Sequence, residues 1–375
     1  MKILFLVFHG FSDVSGISKK IFNQVKGLRD AGHHVDLCHY DVLSNGHRCR
    51  MINNEILEDF GSGKLASLKK RICYHSIYNY IIRQDIKLVY MRSDHNANPF
   101  TIHFLQKLKR QGIKVIMEIP TYPYDQEYNG FSYKEQMELK IDQLFRRSLA
   151  KRLFRICTFS DYDFIFGAQT IKISNGIDFS TIPLKQTLRK HPFPFNLIGV
   201  AEVHYWHGFD RVMAGIGEYC KQNNSRDIFF HIVGGIGEDS EMPVFKEIIK
   251  KYEIEKHIIF HGQLFGKTLD NIFEKADFGI ASLGRHRSGI TNIKTLKNRE
   301  YAARGIPFIY SEIDSDFESM PYVLKAPADE SSIDINRILN FYDNCTLSPV
   351  EIRNSVKDLS WEMQMKKITD LCGDV

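Results

Sequence analysis

Short apolar runs alternate with longer amphipathic segments along the chain, and the alternation runs through twice. In the first half, continuous apolar runs are separated by segments with helical spacing. The runs lie at 2–8, 34–39, 87–91, 114–119, 155–159 and 171–174, and the helical segments at 18–31, 64–83, 99–111 and 133–154. Continuous apolar runs are typical of strands buried on both faces of a parallel sheet, and parallel strands need crossover helices. This half therefore predicts a doubly wound α/β domain.

A proline-containing stretch at 175–194 predicts a linker, and the alternation begins again after it. The second set of strands is expected at 195–201, 227–233, 257–260, 277–281 and 307–310, with helices at 209–220, 242–252, 268–275, 293–303 and 332–341. We therefore predict a Rossmann-like N-terminal domain at 1–185 and a second at 186–348. The remaining residues, 349–375, predict a C-terminal helix that packs back across the domain seam.

Composition narrows the class of protein. With 375 residues and 43% hydrophobic residues, the chain is long and apolar enough for two cores. Its net charge of +5 suits a protein that handles phosphates, without indicating nucleic acid. Seven scattered cysteines form no CxxC pair, and no apolar run reaches the roughly 18 residues of a membrane span. We therefore expect a reduced, cytoplasmic protein without a bound metal.

Two loops in the first half are candidates for ligand contact. The loop at 9–17 carries Gly10 and Gly16 before a predicted helix, where close backbone approach and a helix N-terminus favour an anion. It lacks the GxGxxG pattern, which counts against a dinucleotide-binding dehydrogenase. A purely structural turn explains this loop equally well.

The second loop, at 118–127, follows a predicted strand and combines tyrosines, prolines and carboxylates. Tyrosine rings can stack on a sugar and carboxylates can bind its hydroxyl groups, so we predict acceptor binding by Glu118, Tyr122, Tyr124 and Glu127. The alternative is a rigid loop that only packs.

Three loops of the second half also follow predicted strands. His207 and Arg211 stand at the first, where an arginine in the opening helical turn suits a phosphate. Gly234 lies in the second, a tight glycine turn. The third, at 284–307, is a basic loop that leads into a helix carrying Lys294, Lys297 and Glu300. Free N–H groups at this helix start and the lysines predict a diphosphate site, against the alternative of a solvated basic helix.

The segment Glu300-Tyr301-Ala302-Ala303-Arg304-Gly305-Ile306-Pro307-Phe308-Ile309 resembles the Glu-Ala-x-Ala-x-Gly-x-Pro-x-Ile segment of retaining GT-B glycosyltransferases, and is most similar to glycosyltransferase family 4. Other pieces agree in order: the Gly16 loop, the turn at Gly32, the stretch 174–178, the Gly208 turn, 233–235 and 260–262. The loop at 118 and residues 206–208 and 296–300 are similar to bacterial enzymes that build capsule, exopolysaccharide or lipopolysaccharide. The resemblance implies a GT-B fold, with two doubly wound Rossmann-like domains facing a cleft.

The resemblance also implies roles for individual residues. Glu300 matches the second glutamate of the family's Glu-x7-Glu motif, which holds the donor ribose. Thr295 and Leu296 match backbone donors to the diphosphate, and Gly262, Gln263 and Leu264 match the turn that binds the base. Gly16 matches the N-domain loop near the donor. The first motif glutamate is replaced by Asn292, and the family's phosphate-binding Arg and Lys align with Glu202 and His207, so Arg211, Lys294, Lys297 or Arg285 would supply the charge.

These observations predict a retaining hexosyltransferase that moves sugar from a nucleotide-diphosphate sugar, with UDP favoured, to a saccharide or lipid-linked acceptor in surface polysaccharide biosynthesis. Arg211, His207, Lys294 and Lys297 are the expected catalytic charges, without a metal or other cofactor. Basic amphipathic segments at 64–83 and 146–155 predict peripheral contact with an anionic membrane. A GT-B-fold nucleotide-sugar epimerase and a non-catalytic nucleotide-sugar-binding subunit remain alternatives.

Overall fold

The computed structural model describes residues 1–12, 15–125, 133–186, 194–222, 226–237 and 241–373. They form two compact units. The first unit comprises Met1–Gly176 together with Trp361–Val375, and the second comprises Ile177–Ser360. The first unit therefore ends earlier than the predicted boundary at 185, and residues that were assigned to the linker belong to the second unit.

A nine-stranded sheet with the order β4-β3-β2-β1-β5-β6-β7-β9-β8 organises the first unit. Its strands are β1 (Lys2–Leu6), β2 (His34–Val42), β3 (Arg48–Ile52), β4 (Glu55–Asp59), β5 (Leu88–Arg92), β6 (Lys114–Ile119), β7 (Arg155–Thr158), β8 (Phe164–Ile165) and β9 (Ala168–Lys172). Its helices up to this point are α1 (Gly16–Asp30), α2 (Gly63–Ile72), α3 (His75–Arg83), α4 (Pro99–Arg110) and α5 (Tyr133–Ala150). The central strands are parallel, as predicted, and β3, β4 and β8 add antiparallel edges that the sequence reading missed.

The predicted helix at 64–83 is two helices, α2 and α3, and Arg50 explains the break. Its guanidinium donates to the carbonyl oxygens of Lys70 and Cys73, at 3.1 and 2.9 Å. These carbonyls lie at the end of α2, so the arginine satisfies acceptors that a continuing helix would have used. Tyr74 follows and is buried, with its ring stacked on Phe104 at a centroid distance of 4.7 Å.

A six-stranded parallel sheet with the order β12-β11-β10-β13-β14-β15 organises the second unit. Its strands are β10 (Phe195–Val200), β11 (Ile228–Val233), β12 (Ile258–Phe260), β13 (Phe278–Ile280), β14 (Phe308–Tyr310) and β15 (Val323–Lys325). Its helices are α6 (Phe209–Cys220), α7 (Glu241–Tyr252), α8 (Gly266–Lys275), α9 (Leu296–Arg304), α10 (Ile335–Asp343) and α11 (Pro349–Asn354). Strands and helices alternate as the sequence predicted, apart from the short edge strand β15.

The C-terminal residues form two helices where one was predicted. The first, α11, begins with a capping box between Ser348 and Glu351 and belongs to the second unit. The second, α12 (Trp361–Asp370), packs on α1 of the first unit. At this contact a Cβ on Gly27 would lie 2.7 Å from the backbone of Trp361, so only glycine permits the approach. Across the described ranges, no helix is both long and apolar enough to cross a membrane.

Candidate functional site

The sheet of the second unit reverses its direction of growth at β10. The chain adds β11 and β12 on one side of β10 and then returns to place β13 on the other side. In open α/β sheets, ligands bind beyond the carboxyl ends of the strands where the strand order reverses. The loops that follow β10 and β13 are therefore the first place to look for a site.

These two loops are hydrogen-bonded to each other. The amide of Leu283 donates to the carbonyl of His207 at 2.9 Å, and the amide of Gly284 donates to that of Trp206 at 3.2 Å. Gly208 has a φ of +65°, and a Cβ there would lie 2.8 Å from the nitrogen of Gly284. Glycine is thus required at 208, and the approach it permits brings His207 to the switch point.

Helix α9 begins beside these loops, and its first turn carries unused N–H groups. Thr295 is the N-cap, and its hydroxyl accepts from the amide of Asn298 at 3.5 Å. Within the described part of the chain, the amides of Leu296 and Lys297 have no acceptor. Such amides at the positive end of a helix attract an anion. The predicted role of Thr295 and Leu296 as phosphate-facing backbone is compatible with this geometry.

Lys297 directs its amine to His207. Nζ lies 2.8 Å from Nε2 of the imidazole, while Nδ1 accepts from the amide of His204 at 2.9 Å. A neutral imidazole that accepts at Nδ1 carries its proton on Nε2, so only an uncharged amine can accept there. Burial, followed by the nearby Lys297 charge, holds the pKa of His207 well below its usual range. A protonated Lys297 therefore has no acceptor at His207 and needs a different partner.

The charges around Lys297 favour such a partner. Burial, followed by the charge of Arg285, lowers the pKa of Lys297 to about 8, and Glu312 and Glu300 act in the opposite direction. Arg285 also lies over the ring of Trp206, 5.5 Å from its centroid. An anion between Lys297 and Arg285 would relieve the repulsion between these two cations. A diphosphate bound at the start of α9 would supply it.

Glu300, one turn into α9, is already paired. Its Oε1 accepts from Nε and one terminal nitrogen of Arg304 at 3.1 and 2.9 Å, and Arg304 also donates to Asp270 at 2.9 Å. Its side chain is 31% exposed, and no described residue donates to Oε2. Glu300 can therefore offer one oxygen to a ribose hydroxyl while Arg304 fixes its orientation.

The structure does not support Arg211 as a catalytic charge. Its side chain is 2% exposed, and its guanidinium donates to the carbonyls of Ser331, Leu283 and Pro327 and to the carboxylate of Asp329. These acceptors fasten the loop at 327–331 to the loop after β13. An arginine with this many protein acceptors stabilises the frame of the site and has no orientation left for a phosphate.

Lys294 is also committed elsewhere. Its Nζ lies 3.6 Å from a carboxylate oxygen of Asp316, which in turn pairs with the buried Arg299. Arg299 further forms a two-pronged bond with Asp314, at 2.6 and 3.1 Å. This network anchors α9 to the segment after β14, so the prediction that Lys294 is catalytic is replaced by a structural role. The sequence reading missed Arg299, Asp314 and Asp316, because their pairing is long-range.

The two glycine turns of the second unit bond to each other. The amide of Gly234 donates to the carbonyl of Gly262 at 2.7 Å, and a Cβ on Gly234 would lie 1.6 Å from the carbonyl of Ala201. Gly234 is thus a packing glycine, with its amide already used. Beside this turn, Gln263 is exposed and Leu264 is partly buried, and the side-chain Nε2 of Gln263 donates to Oε2 of Glu202 at 3.5 Å. Base binding by Gly262, Gln263 and Leu264 stays a prediction.

Glu118 is buried in the first unit, contrary to its prediction as an acceptor-binding residue. It is 0% exposed and accepts from Gln24 at 2.5 Å, from Tyr90 at 2.6 Å and from Arg92, with Lys20 at 3.9 Å. Burial alone would raise its pKa, but Arg92 and Lys20 hold the pKa of Glu118 below its usual range. The carboxylate therefore supports the core and has no room for a substrate.

Tyr124 is likewise a packing residue. It is 3% exposed, donates to Asp142 at 2.8 Å and meets the ring of His95 edge-on. Tyr122 is partly buried, and its ring forms T-shaped contacts with Tyr162 and Phe166.

The last two predicted residues of the first unit lie in loops that the structure describes only in part. Glu127 falls outside the described residues. Gly16 is exposed at the start of α1, where a Cβ would meet no atom within 4 Å. Acceptor binding stays a prediction for Tyr122 and Glu127, and donor contact stays one for Gly16.

One residue that the sequence reading did not select completes the arrangement. Glu312 follows β14, is 2% exposed, and interacts electrostatically with Arg285 and Lys297. In the sequence, the only indication of a functional role for Glu312 is its position just beyond the carboxyl end of a predicted strand. No group of three or more His, Cys, Asp or Glu side chains able to hold a metal occurs among the described residues.

No family profile matches the chain, and no curated protein matches it in sequence. Solved structures do match over the full length. Sucrose-phosphate synthase from Thermosynechococcus elongatus is 16% identical with a TM-score of 0.66, over 99% of this chain and 98% of that one. The catalytic domain of starch synthase IV from Arabidopsis thaliana, bound to ADP and acarbose, is 12% identical with a TM-score of 0.62, over 98% of both chains.

A third match is HepE of Anabaena in complex with UDP, which is 13% identical with a TM-score of 0.58 over 100% of both chains. These neighbours are GT-B glycosyltransferases. Agreement over the full length of each chain at such low identity demonstrates a shared architecture. The chain therefore has the GT-B fold that the sequence predicted.

Proposed function

We propose that this protein is a glycosyltransferase that moves a hexose-type sugar from a nucleotide-diphosphate sugar, with a UDP-sugar favoured, to a saccharide or lipid-linked saccharide acceptor. The observation that carries the proposal is the start of α9. There, the backbone amides of Leu296 and Lys297 have no acceptor among the described residues, and the side chains of Lys297 and Arg285 lie near them at the switch point of a parallel sheet. Convergent amides and cations at this place suit a diphosphate.

The proposed chemistry follows from where the charge develops. The bond between the anomeric carbon and the β-phosphate oxygen breaks, and its electron pair stays on the phosphate. The acceptor hydroxyl oxygen forms the new bond to that carbon, and its proton passes to the departing phosphate. Lys297, Arg285 and the first-turn amides of α9 stabilise the negative charge that accumulates, which requires no metal. Attack from the face of the leaving group gives retention.

Peripheral membrane contact is part of the proposal, and one helix face supports it. Four exposed apolar residues line a single stripe of α5, at spacings of four, four and three residues: Tyr133 (79% exposed), Met137 (39%), Ile141 (44%) and Leu144 (74%). Lys140 and Arg147 lie exposed on the same helix. An apolar stripe beside cations suits the surface of an anionic bilayer and would bring the enzyme to a lipid-linked acceptor in surface polysaccharide biosynthesis.

Vesicle flotation tests the membrane part. We expect binding to vesicles that contain phosphatidylglycerol, loss of binding in the double variant Ile141→Ser, Leu144→Ser, and retention in the control Val350→Ser, which alters an exposed apolar residue of the second unit. Equal binding of all three proteins would contradict the role of the α5 stripe.

The donor site is tested by thermal-shift measurements with UDP, GDP, ADP and CMP. We expect one diphosphate to stabilise the wild type, and Lys297→Met to weaken its binding about tenfold, since a charge-assisted hydrogen bond contributes roughly 1.5–3 kcal/mol. Lys267→Met is the matched control, because Lys267 occupies the same second position of helix α8 and is exposed.

Failure of every nucleotide to bind would remove the proposal. Equal nucleotide affinity in the Lys297→Met and Lys267→Met variants would show that the diphosphate does not bind at the start of α9. Release of UDP from UDP-glucose in the presence of acceptor distinguishes a transferase from a subunit that binds the donor without turnover.

A further inference from the structure

Two buried polar side chains at the carboxyl edge of the second sheet have no hydrogen-bond partner on any other described residue. Both oxygens of Glu312, which follows β14, accept no bond from another described residue, and the residue is 2% exposed. The hydroxyl of Ser282, which follows the neighbouring strand β13, is equally buried at 0% exposure and has no partner among the described residues. A buried polar group without a partner costs stability, so a pair at one sheet edge calls for an explanation.

Glu312 lies against the same cations that surround the start of α9. The charges of Arg285 and Lys297 both act on its carboxyl group, and Asp314 acts against it. Backbone pairing fixes the position: the amide of Ile313 donates to Thr291, and the amide of Ile293 donates to Ile313, at 2.7 and 3.0 Å. The residue after Glu312 is thereby tied to the loop that leads into α9. The backbone next to Glu312 is therefore held beside the proposed donor site.

The chemistry of the Glu312 carboxyl group restricts which ligand it can bind. A carboxylate repels an anion, so the diphosphate itself cannot be its partner. A divalent cation is not favoured, because the described residues offer no group of three acidic, histidine or cysteine ligands. Groups that donate hydrogen bonds without carrying charge remain, and hydroxyl groups satisfy a carboxylate well.

We infer that Glu312 binds hydroxyl groups of the sugar carried by the nucleotide donor and so selects neutral sugars over acidic ones. The inference rests on the proposed function, since it takes the diphosphate to lie at the start of α9. Ser282 offers a further hydroxyl to the same sugar. Asn292, which pairs with Ile313, is exposed and uncharged, so Glu312 is the carboxylate that this loop region presents to the sugar.

The test compares binding of UDP, UDP-glucose and UDP-glucuronate by isothermal titration calorimetry at pH 8, in the wild type, in Glu312→Gln and in Glu247→Gln. Glu247 is an exposed glutamate of α7 and serves as the matched control. We expect Glu312→Gln to bind UDP at least as tightly as the wild type, because a negative charge beside the diphosphate is gone. Its affinity for UDP-glucose relative to UDP should fall about tenfold, the effect of weakening one hydrogen bond to a charged group.

The wild type should also prefer UDP-glucose to UDP-glucuronate, and Glu312→Gln should narrow that preference. If the variant binds UDP normally and keeps the wild-type ratio for UDP-glucose, the inference is wrong while the donor site stands. If the wild type binds none of the three, or their guanosine and adenosine counterparts, both the donor site and the inference fail. If the variant loses affinity for UDP and for UDP-glucose by the same factor, Glu312 does not contact the sugar and its role is structural.

Discussion

Each unit of this protein has a buried glutamate at the end of a parallel strand, and these two glutamates, Glu118 and Glu312, have opposite surroundings. Glu118, in β6 of the first unit, is fully buried and receives bonds from an amide, a phenol and an arginine. Glu312, after β14 of the second unit, is equally buried and receives none from other described residues. Arg92 and Lys20 hold the pKa of Glu118 below its usual range, whereas burial raises the pKa of Glu312 to about 7.

The difference separates a carboxylate that builds the fold from one that is ready for a ligand. Desolvation opposes the charge at both positions, and at Glu118 fixed donors offset that cost. At Glu312 no such donors among the described residues offset the desolvation cost in the free protein. Residues that lower the stability of the fold and make no compensating contact within it are expected where a ligand binds.

The largest effect is expected at Glu118. Glu118→Gln leaves Arg92 and Lys20 with no opposing charge in the core, and breaking a buried ion pair from one side costs about 3–5 kcal/mol. Urea denaturation of the variant should show a loss of about this size, and Glu55→Gln, at an exposed position of β4, should show almost none. A stable Glu118→Gln protein with impaired acceptor use would restore the ligand-binding role that the sequence suggested.

Glu312→Gln should instead stabilise the protein at high pH. The pKa of Glu312 rises from 4.5 to about 7 on folding, so the folded protein holds this proton more tightly and stability falls as pH rises between these values. Glutamine removes that cost, which is on the order of 3 kcal/mol at pH 8 at about 1.4 kcal/mol per pKa unit. Below about pH 4.5 the two proteins should be equally stable.

Denaturation curves at pH 4, 6 and 8 measure the trend. A variant that is less stable than the wild type at pH 8 would show that Glu312 has a structural partner and would end the contrast with Glu118.

A smaller effect is expected on nucleotide affinity. As pH rises from 7 to 9, Lys297 loses its proton near 8, so the affinity for UDP should fall, by roughly tenfold overall. His207, Arg285, Glu300 and Glu312 face this amine. Because the pKa of Glu312 is raised to about 7, its carboxyl group is about half charged at pH 7 and almost fully charged above pH 8, so it affects only the lower part of the profile. Lys297→Met should flatten the profile, while Glu312→Gln should leave its upper part unchanged. A wild-type affinity that is constant from pH 7 to 9 would exclude Lys297 from the phosphate contact.

The order of strands and helices was predictable from the sequence because period and burial are local properties. Apolar runs at 195–201 and 307–310 identified the strands around the site, and Gly305 with Pro307 identified the end of α9. The same local logic placed Lys297 in a helix at 293–303, whereas α9 begins at Leu296. It failed at the helix break after Ile72, because the arginine that causes the break is distant in sequence.

By itself, the sequence determined which chain segments form the GT-B fold and which loops end at its strand edges. Only the tertiary structure decided what each charged side chain does there. Arg211 and Lys294 are basic residues in promising loops, yet carbonyls at 327–331 and the carboxylate of Asp316 engage them. Glu118 and Glu312 both follow apolar strand residues. Distant partners give Glu118 a set of donors, whereas no other described residue donates to the carboxyl group of Glu312. The physical reason is that the free energy of a buried charge depends on its three-dimensional neighbours, which the local pattern of residues does not encode.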